Sequence, residues 1–477
     1  MQTPLPTAVI VLAAGRGTRM RSERPKVLQA LAGRPLLAHV LETAQELKPA
    51  ALRVVYGYGG DAVREALVNE PVDWVEQSEQ RGTGDATRCG LTGLPAEMRA
   101  IVLCGDVPLM QAESLLPLLE ETEQTLSLLT VELADPTGYG RIVRSNANGE
   151  VVAIVEERDA TPQQRQIRET NTGILAAPVG LLRGWLEQLR PDNAQGEYYL
   201  TDVVAMAVAA GYSVRAHRLS DPLQASGVNS FVQLAEVEQI WQARARDRLL
   251  RQGLAMPVPT RVLLRGQVEH GRDCSVDVDC VLEGRIELAD RVRIGPGVVL
   301  RNVTVGSDSV IAPYCVLEDV ELAERCQVGP FAHLRPGTRL APGARVGNFV
   351  EMKAATLGRD SKANHLSYIG DAQIGERVNI GAGTITCNYD GERKHPTKIA
   401  DDAFIGSGTQ LVAPLSVGEG ATVGAGSTLT RDAPARQLTL ARCRQQSKSE
   451  WRRPGLTPDP GSAEDRGEGP SRGHTEE

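Results

Sequence analysis

Two groups of residues in this 477-residue chain have the types and spacing that chemistry requires. The first begins with the apolar run Thr7 to Ala13, which leads straight into Ala14-Gly15-Arg16-Gly17-Thr18-Arg19-Met20. Bare glycine backbone lets N–H groups approach anionic oxygens, so a glycine-rich loop after the first strand of an α/β domain is a phosphate cradle. This loop lacks the third glycine of the dinucleotide fingerprint and the Gly-Lys-Ser/Thr of a P-loop, so neither standard reading applies. Arg19, and Lys26 in Pro25-Lys26-Val27-Leu28, place two cations beside it. Gln77 and the loop Gly82-Thr83-Gly84 repeat the arrangement further on. Asp106, in Gly105-Asp106-Val107-Pro108 after the apolar run Ala100 to Cys104, sits at the carboxyl end of a strand. That suits a hard cation, since Mg²⁺ takes one or two carboxylates plus phosphate oxygens; capping a turn before the proline is the alternative.

The second group lies far downstream, where Lys362, Asn364, His365 and Tyr368 interrupt a regular pattern, followed by the polar loop Thr386 to His395. His365 falls within about two coils of Arg335, Lys353 and Asn379. A cationic surround suits an anionic sugar phosphate. Acyl transfer to an amine needs the ammonium to lose a proton, and histidine is the side chain best poised for that near neutral pH. A histidine on the surface of a β-helix is otherwise unremarked. Cys387 offers an acyl-carrier alternative that a direct attack by the amine does not need.

The elements that position these residues differ between the two halves. Over the first half the chain alternates in βα fashion: a helix around Leu36 to Leu47, a strand Leu52 to Tyr56, a short helix Ala62 to Val68 and a strand Val72 to Glu76. This predicts a doubly wound α/β sheet with ligands at its carboxyl edge. Phe231 to Leu254 carries Leu234, Val237, Ile240, Trp241, Ala245 and Leu249 at helical spacing, an amphipathic arm that Pro257 and Pro259 terminate.

From about Val276 to Leu429 an aliphatic residue returns every sixth position, as in Ile405, Leu411, Val417, Val423 and Leu429, often with glycine behind it. A period of six fits a parallel β-helix in which three hexads close a triangular coil. Residues two places earlier also point inward and are small; Cys274, Cys280, Cys315 and Cys326 hold that phase and read as core filler rather than metal ligands. The rhythm breaks twice, between Leu357 and Ile374 and between Ile385 and Ile399, and a solenoid keeps its period unless something else needs the space.

A net charge of -8 without a basic stripe argues against nucleic acid as partner. No CxxC pair and no disulfide-framework spacing occur among eight cysteines, which fits a reducing cytoplasm. No span of about eighteen apolar residues exists, so no membrane insertion is expected. The expected division is 1–229 for the sheet domain, 230–254 for the linker helix, 255–453 for the β-helix, and a disordered tail over 454–477, which is rich in Gly, Pro, Ser and charge.

LAAGRGTRM with PKVL, Gln77 with GTG, GDVPL, DPTGYGRI, NTGI and GVN, in this order, resemble the sugar-1-phosphate nucleotidylyltransferases. With QGEYYLTD (Gln195 to Asp202) and the hexads, residues 6 to 453 are similar to bifunctional N-acetylglucosamine-1-phosphate uridylyltransferase/glucosamine-1-phosphate N-acetyltransferases. The resemblance implies a Rossmann-like nucleotidylyltransferase domain, a helical linker and a left-handed parallel β-helix, assembled as a cytoplasmic homotrimer that supplies cell-wall and lipopolysaccharide precursors. It implies uridine contacts at Leu12, Ala13, Ala14, Gly15, Gln77, Gly82 and Thr83. Lys26 and Arg19 would hold the triphosphate of UTP, Asp106 and Asn229 would bind Mg²⁺, and Gly140, Glu156 and Asn171 would bind N-acetylglucosamine 1-phosphate. In the second half it implies His365 as general base, and Arg335, Lys353, Tyr368 and Asn379 on glucosamine 1-phosphate. Ala382, Asn388, Tyr389, Ser407, Ala425 and Arg442 would take acetyl-CoA. Two positions depart from the pattern, Cys104 where relatives often have tyrosine and His333 where they can carry arginine. A nucleotidylyltransferase whose β-helix only assembles or regulates, and an inactive scaffold built on the same folds, are the alternatives.

Overall fold

The computed structural model describes residues 5–449, 451, 453 and 454; the expected tail, from 455 on, lies outside the described residues. Alternation of buried side chains builds the N-terminal sheet. Val9 and Val11 of the strand Thr7–Ala13 enter one core, and Ala8 and Ile10 enter the core on the opposite face. A strand buried on both faces is apolar throughout, as this one is. The sheet runs Ser213–Arg218, Thr125–Glu132, Glu169–Pro178, Arg99–Cys104, Thr7–Ala13, Ala51–Tyr56, Asp73–Glu76. All neighbours are parallel except Glu169–Pro178, which runs antiparallel to both of its own. The chain leaves Thr7–Ala13 for one side of the sheet and later returns to Arg99–Cys104 on the other. The crevice between these two carboxyl ends is therefore a topological switch point, where ligands of such sheets bind. The expected helices form as Leu36–Glu46 and, two residues earlier than its apolar pattern suggests, Gly60–Ala66; a further helix, Thr83–Leu91, starts at the Gly82 loop.

The arm helix Phe231–Arg251 starts at Ser230, whose hydroxyl accepts from the Gln233 amide. Its stripe serves both domains: Val237, Leu234 and Ile240 pack with Met20, Leu31, Leu36, Leu109 and Val228, whereas Ala245 and Leu249 enter the core of the coils. Trp241 touches both.

Beyond the arm the chain winds into parallel coils with three faces. Val276, Ile294, Ile311, Val328, Val346, Ala363, Ile380, Ile405 and Val423 stack in one column on the first face. Buried Cys274, Cys280, Cys315 and Cys326 fill the interior as expected, and all eight cysteines are free thiols. The step is less regular than the hexads suggest: a coil advances 18 residues from Val276 to Ile294 but 17 from Ile294 to Ile311 and from Ile311 to Val328. A one-residue shortening thus occurs in coils remote from His365, and it does not mark a site. The coil from Ile380 to Ile405 advances 25, and the outward loop accounts for the excess.

The corner after the first face is built from residues in the left-handed conformation, which costs a side chain roughly 1–2 kcal/mol. Tyr314, Phe331, Phe349 and Leu366 adopt it at φ 60°, 55°, 57° and 46° and project into solvent. Tyr314 and Phe331 stack at 5.3 Å, and Phe331 and Phe349 at 5.4 Å. In the following coils Gly383, Gly408 and Gly426 take over the corner. Among the described residues no helix is long and apolar enough to cross a membrane.

Candidate active sites

The first site is a cavity of about 670 Å³ at the switch point. Leu12, Ala13, Ala14, Gly15, Lys26, Gln77, Gly82, Thr83 and Asp106 line it together, as the sequence suggests. Arg16, Gln80, Cys104 and Glu197 also line it. Gly17 turns the first loop at φ 59°, and the Lys26 β-carbon lies 2.7 Å from where a Cβ of residue 17 would stand, so only glycine lets the loop lie on the lysine. Gln77 is buried and fixed, donating to Asp85 at 2.8 Å and to the Gly82 carbonyl at 3.3 Å.

Asp106 and Asn229 meet across the mouth of the cavity. The Val228 amide donates to the Asp106 carbonyl at 2.9 Å, and Gln233 accepts from the Asn229 amide at 2.8 Å, so the start of the arm helix fixes Asn229. The Lys26 ammonium bridges both side chains, paired with the Asp106 carboxylate and 3.0 Å from Asn229 Oδ1. Arg19 donates to the same oxygen at 2.8 Å. A carboxylate and an amide oxygen already gathered around a cation are the donor set a hard divalent ion takes. Among the described residues there is no cluster of three or more His, Cys, Asp or Glu that could hold a metal ion, so an ion bound here would take the rest of its shell from phosphate oxygens and water.

Gly140, Glu156 and Asn171 come together beside this cavity, outside its immediate lining. The Asn171 amide donates to the Gly140 carbonyl at 2.9 Å, and the Glu156 carboxyl lies 3.5 Å from where a Cβ on Gly140 would stand. Burial pushes Glu156 above the usual carboxylate range, the Thr201 hydroxyl at 3.1 Å opposes this, and Asp202 and Asp159 add to the rise. Arg141, also buried, pairs with Glu157 at 2.6 Å and holds the adjoining turn. Cys104 points toward Gly173, with Sγ 3.8 Å from that carbonyl, and burial ahead of the neighbouring Asp106 pushes its thiol up to about 12. It is packing, not a nucleophile.

The second group gathers around the corner that carries the aromatic residues. His365 is exposed, and its Nδ1 lies 2.9 Å from Asn348 Oδ1, one coil away. An amide oxygen only accepts, so this contact keeps the proton on Nδ1 and leaves Nε2 with a free lone pair. The sequence reading missed Asn348, although its 17-residue offset from His365 was there to be seen. The Gly383 amide bonds to Leu366, Gly408 to Ala382 and Gly426 to Ser407, so His365, Ala382, Ser407 and Ala425 form one column. Arg442 closes it by donating to the Ala425 carbonyl at 2.8 Å.

Arg335, Lys353 and Tyr368 lie on successive coils of the next face, where Arg335 pairs with Glu351 at 2.8 Å. The amine of Lys394, also missed by the sequence reading, reaches Lys353 from the outward loop and is the main cause of its lowered pKa, with Arg335 next. A lysine in a polar loop carries no sequence signal that it folds back. Two expected residues are placed otherwise. Asn379 stands on the first face, across the corner from Arg335, Lys353 and Tyr368, because it pairs with Lys362. Asn388 is buried and ties the root of the loop to Asp371, while Tyr389 is exposed and pairs with Lys394 in a small hairpin. Burial raises the Cys387 thiol pKa, so it is not an activated nucleophile.

The profile of the MobA-like NTP transferase domain matches residues 9–173, and that of the hexapeptide repeat of succinyl-transferase matches residues 396–431. The chain is 54% identical over 458 residues to the bifunctional protein GlmU of Alkalilimnicola ehrlichii, covering 96% of this chain and 99% of that protein. It is 52% identical over 453 residues to that of Nitrosospira multiformis, covering 95% and 98%. Against that of Aromatoleum aromaticum it is 53% identical over 447 residues, covering 94% and 98%. With a nucleotidyltransferase sheet, a hexapeptide β-helix and a candidate site on each, the chain belongs to the family of bifunctional GlmU proteins.

Proposed function

We propose that the chain performs both steps that make UDP-N-acetylglucosamine from glucosamine 1-phosphate, one on each domain, divided as 1–229 and 255–453 with the arm between. Acetyl transfer comes first. The Nε2 lone pair of His365 takes a proton from the 2-ammonium group, and the amine attacks the thioester carbonyl of acetyl-CoA. The C–S bond then breaks, the nitrogen gives up its second proton to solvent, and the sulfur leaves as a thiol with the proton that His365 had taken. Arg335, Lys353 and Lys394 counter the phosphate of the sugar, with Tyr368 beside it. The bare column of Ala382, Ser407 and Ala425, ending at Arg442, takes the extended cofactor with Tyr389 at its side. That column, beginning at a histidine held in one tautomer, carries the reading: a β-helix used only for assembly has no need of it.

Uridylyl transfer follows in the sheet domain. A phosphate oxygen of N-acetylglucosamine 1-phosphate attacks the α-phosphorus of UTP and pyrophosphate leaves; the nucleophile is already ionised, so no general base is needed. The backbone from Leu12 to Gly15, with Gln77, Gly82 and Thr83, holds the nucleotide, and Gly140, Glu156 and Asn171 hold the sugar. Lys26 and Arg19 neutralise phosphate charge. Asp106 and Asn229 would hold Mg²⁺, which when bound polarises the phosphates and stabilises charge on the departing pyrophosphate.

The protein acts as a homotrimer in this reading. The exposed row Tyr314, Phe331, Phe349 and Leu366 ends where the cofactor column begins, and a neighbouring copy covering it would bring Asn379 from another chain toward Arg335 and Lys353. Acetyl-CoA consumption and pyrophosphate release, measured on His365→Ala and Asp106→Ala, test the assignment. His365→Ala is expected to lose at least about a hundredfold in acetylation only, and Asp106→Ala a similar factor in pyrophosphate release only. Wild type that releases pyrophosphate but never consumes acetyl-CoA would leave the β-helix as an assembly module.

A further inference from the structure

The segment Gln195 to Asp202 has no role in the reaction described above, yet it lies between the two halves of the first site. On one side it is bound to the nucleotide loop. The Tyr198 amide donates to the Arg81 carbonyl at 2.8 Å, the Gly84 amide donates to the Tyr198 carbonyl at 2.8 Å, and the Leu200 amide donates to the Thr83 hydroxyl at 3.1 Å. The fit leaves no slack: a Cβ on Gly82 would stand 2.6 Å from the Tyr198 carbonyl oxygen. On the other side it is bound to the sugar half. The Thr201 hydroxyl donates to Glu156 at 3.1 Å, and just before the segment the Ala194 amide donates to Asp159 at 3.1 Å. Tyr199, Leu200 and Thr201 are all buried, so the segment cannot bend out of the way.

Leu200 and Thr201 are consecutive, and one grips Thr83 while the next grips Glu156. A shift of the nucleotide loop must therefore be shared with the carboxylate. We propose that Leu200-Thr201 is a positioning link that couples the two subsites, so that nucleotide in the Gly82 loop sets Glu156 for the sugar phosphate, with Thr201 as its positioning residue. This rests on the assignment of Glu156 to the sugar. By reciprocity, sugar phosphate must tighten nucleotide binding by the same factor.

Calorimetry on the full chain with Mg²⁺ tests the link, titrating N-acetylglucosamine 1-phosphate with and without saturating α,β-methylene UTP. Wild type is expected to bind the sugar phosphate at least about fivefold more tightly when nucleotide is present. Thr201→Val is expected to abolish that difference while nucleotide alone binds within about twofold of wild type, and Thr201→Ser to restore it; about tenfold weaker sugar binding corresponds to one lost buried hydrogen bond. Acetyl transfer by the same variant reports its folding, and Thr201→Ala replaces it if the apolar branch is not tolerated. Coupling that survives in Thr201→Val, or equal weakening of both ligands, overturns the link. Glu156→Gln separates the two ideas: unchanged sugar-phosphate binding there refutes the sugar assignment itself, whereas weakened binding there with intact coupling in Thr201→Val refutes only the link.

Discussion

In the proposed reading, Glu156 trades stability for binding. Burial, with Asp202 and Asp159 nearby, holds its proton more tightly in the folded protein than in the unfolded chain. The sign follows: stability contributed at low pH is lost as pH rises from the ordinary carboxylate range through the raised value. Glu156→Gln removes that cost, so we expect thermal melts to show the variant gaining on wild type at pH 7.5 relative to pH 5, while its affinity for N-acetylglucosamine 1-phosphate falls. Asp202→Asn relieves part of the repulsion, and the acid limb of pyrophosphate release against pH should move to lower pH. Residues of this kind are only half legible in a sequence. Glycine loops, Lys26 and Asp106 stand out because backbone and charge requirements are local. Asn348 and Lys394 do not, because each acquires its partner only when the coils stack or the loop folds back.

At the scale of elements, the hexads revealed the coils and the cysteines' place inside them, since an inward position every sixth residue is enforced by packing at each turn. They did not reveal which coils run 17 residues and which 18. A corner can drop a residue by placing a side chain in the left-handed conformation, as at Asn302 and Asp319, where the inward step from Leu300 to Val305 and from Leu317 to Leu322 is five, and no composition rule forbids it. The direction of the antiparallel strand Glu169–Pro178 was equally hidden, because neither its polar first half, Glu169 to Gly173, nor its apolar second half tells which way the chain runs. The outward loop is different, since its excess length is visible in the sequence and its use is visible in the fold. Deleting residues 388–395 would return that coil to 17 residues, a length the β-helix already accommodates elsewhere. We expect the deleted protein to fold and release pyrophosphate within about twofold of wild type, but to lose about a hundredfold or more in acetyl transfer with Lys394 gone. A variant that unfolds would show that the Asn388 tether to Asp371, rather than coil length, holds this region.

For the molecule as a whole, the aromatic row makes assembly testable. Soluble monomers seldom expose a contiguous apolar patch without a use, and stacked rings on one corner form such a patch. Phe349→Asp puts a charge in the middle of the row. If the proposed trimer forms through this row, light scattering should show the mass falling from three copies toward one, with acetyl transfer lost and pyrophosphate release kept; a variant whose mass matches wild type would place the interface elsewhere.

The arm helix also governs where this protein could be divided. Asn229, a candidate metal ligand, is the residue just before its cap, and the far end of the helix, about 30 Å away at 1.5 Å per residue, is part of the coil core. A boundary drawn between 229 and 230 therefore passes through the nucleotide site instead of between two modules. The two domains share a splice rather than a hinge: a chain cut at that point would lose the residue contacts that hold Asn229, and with them the first activity.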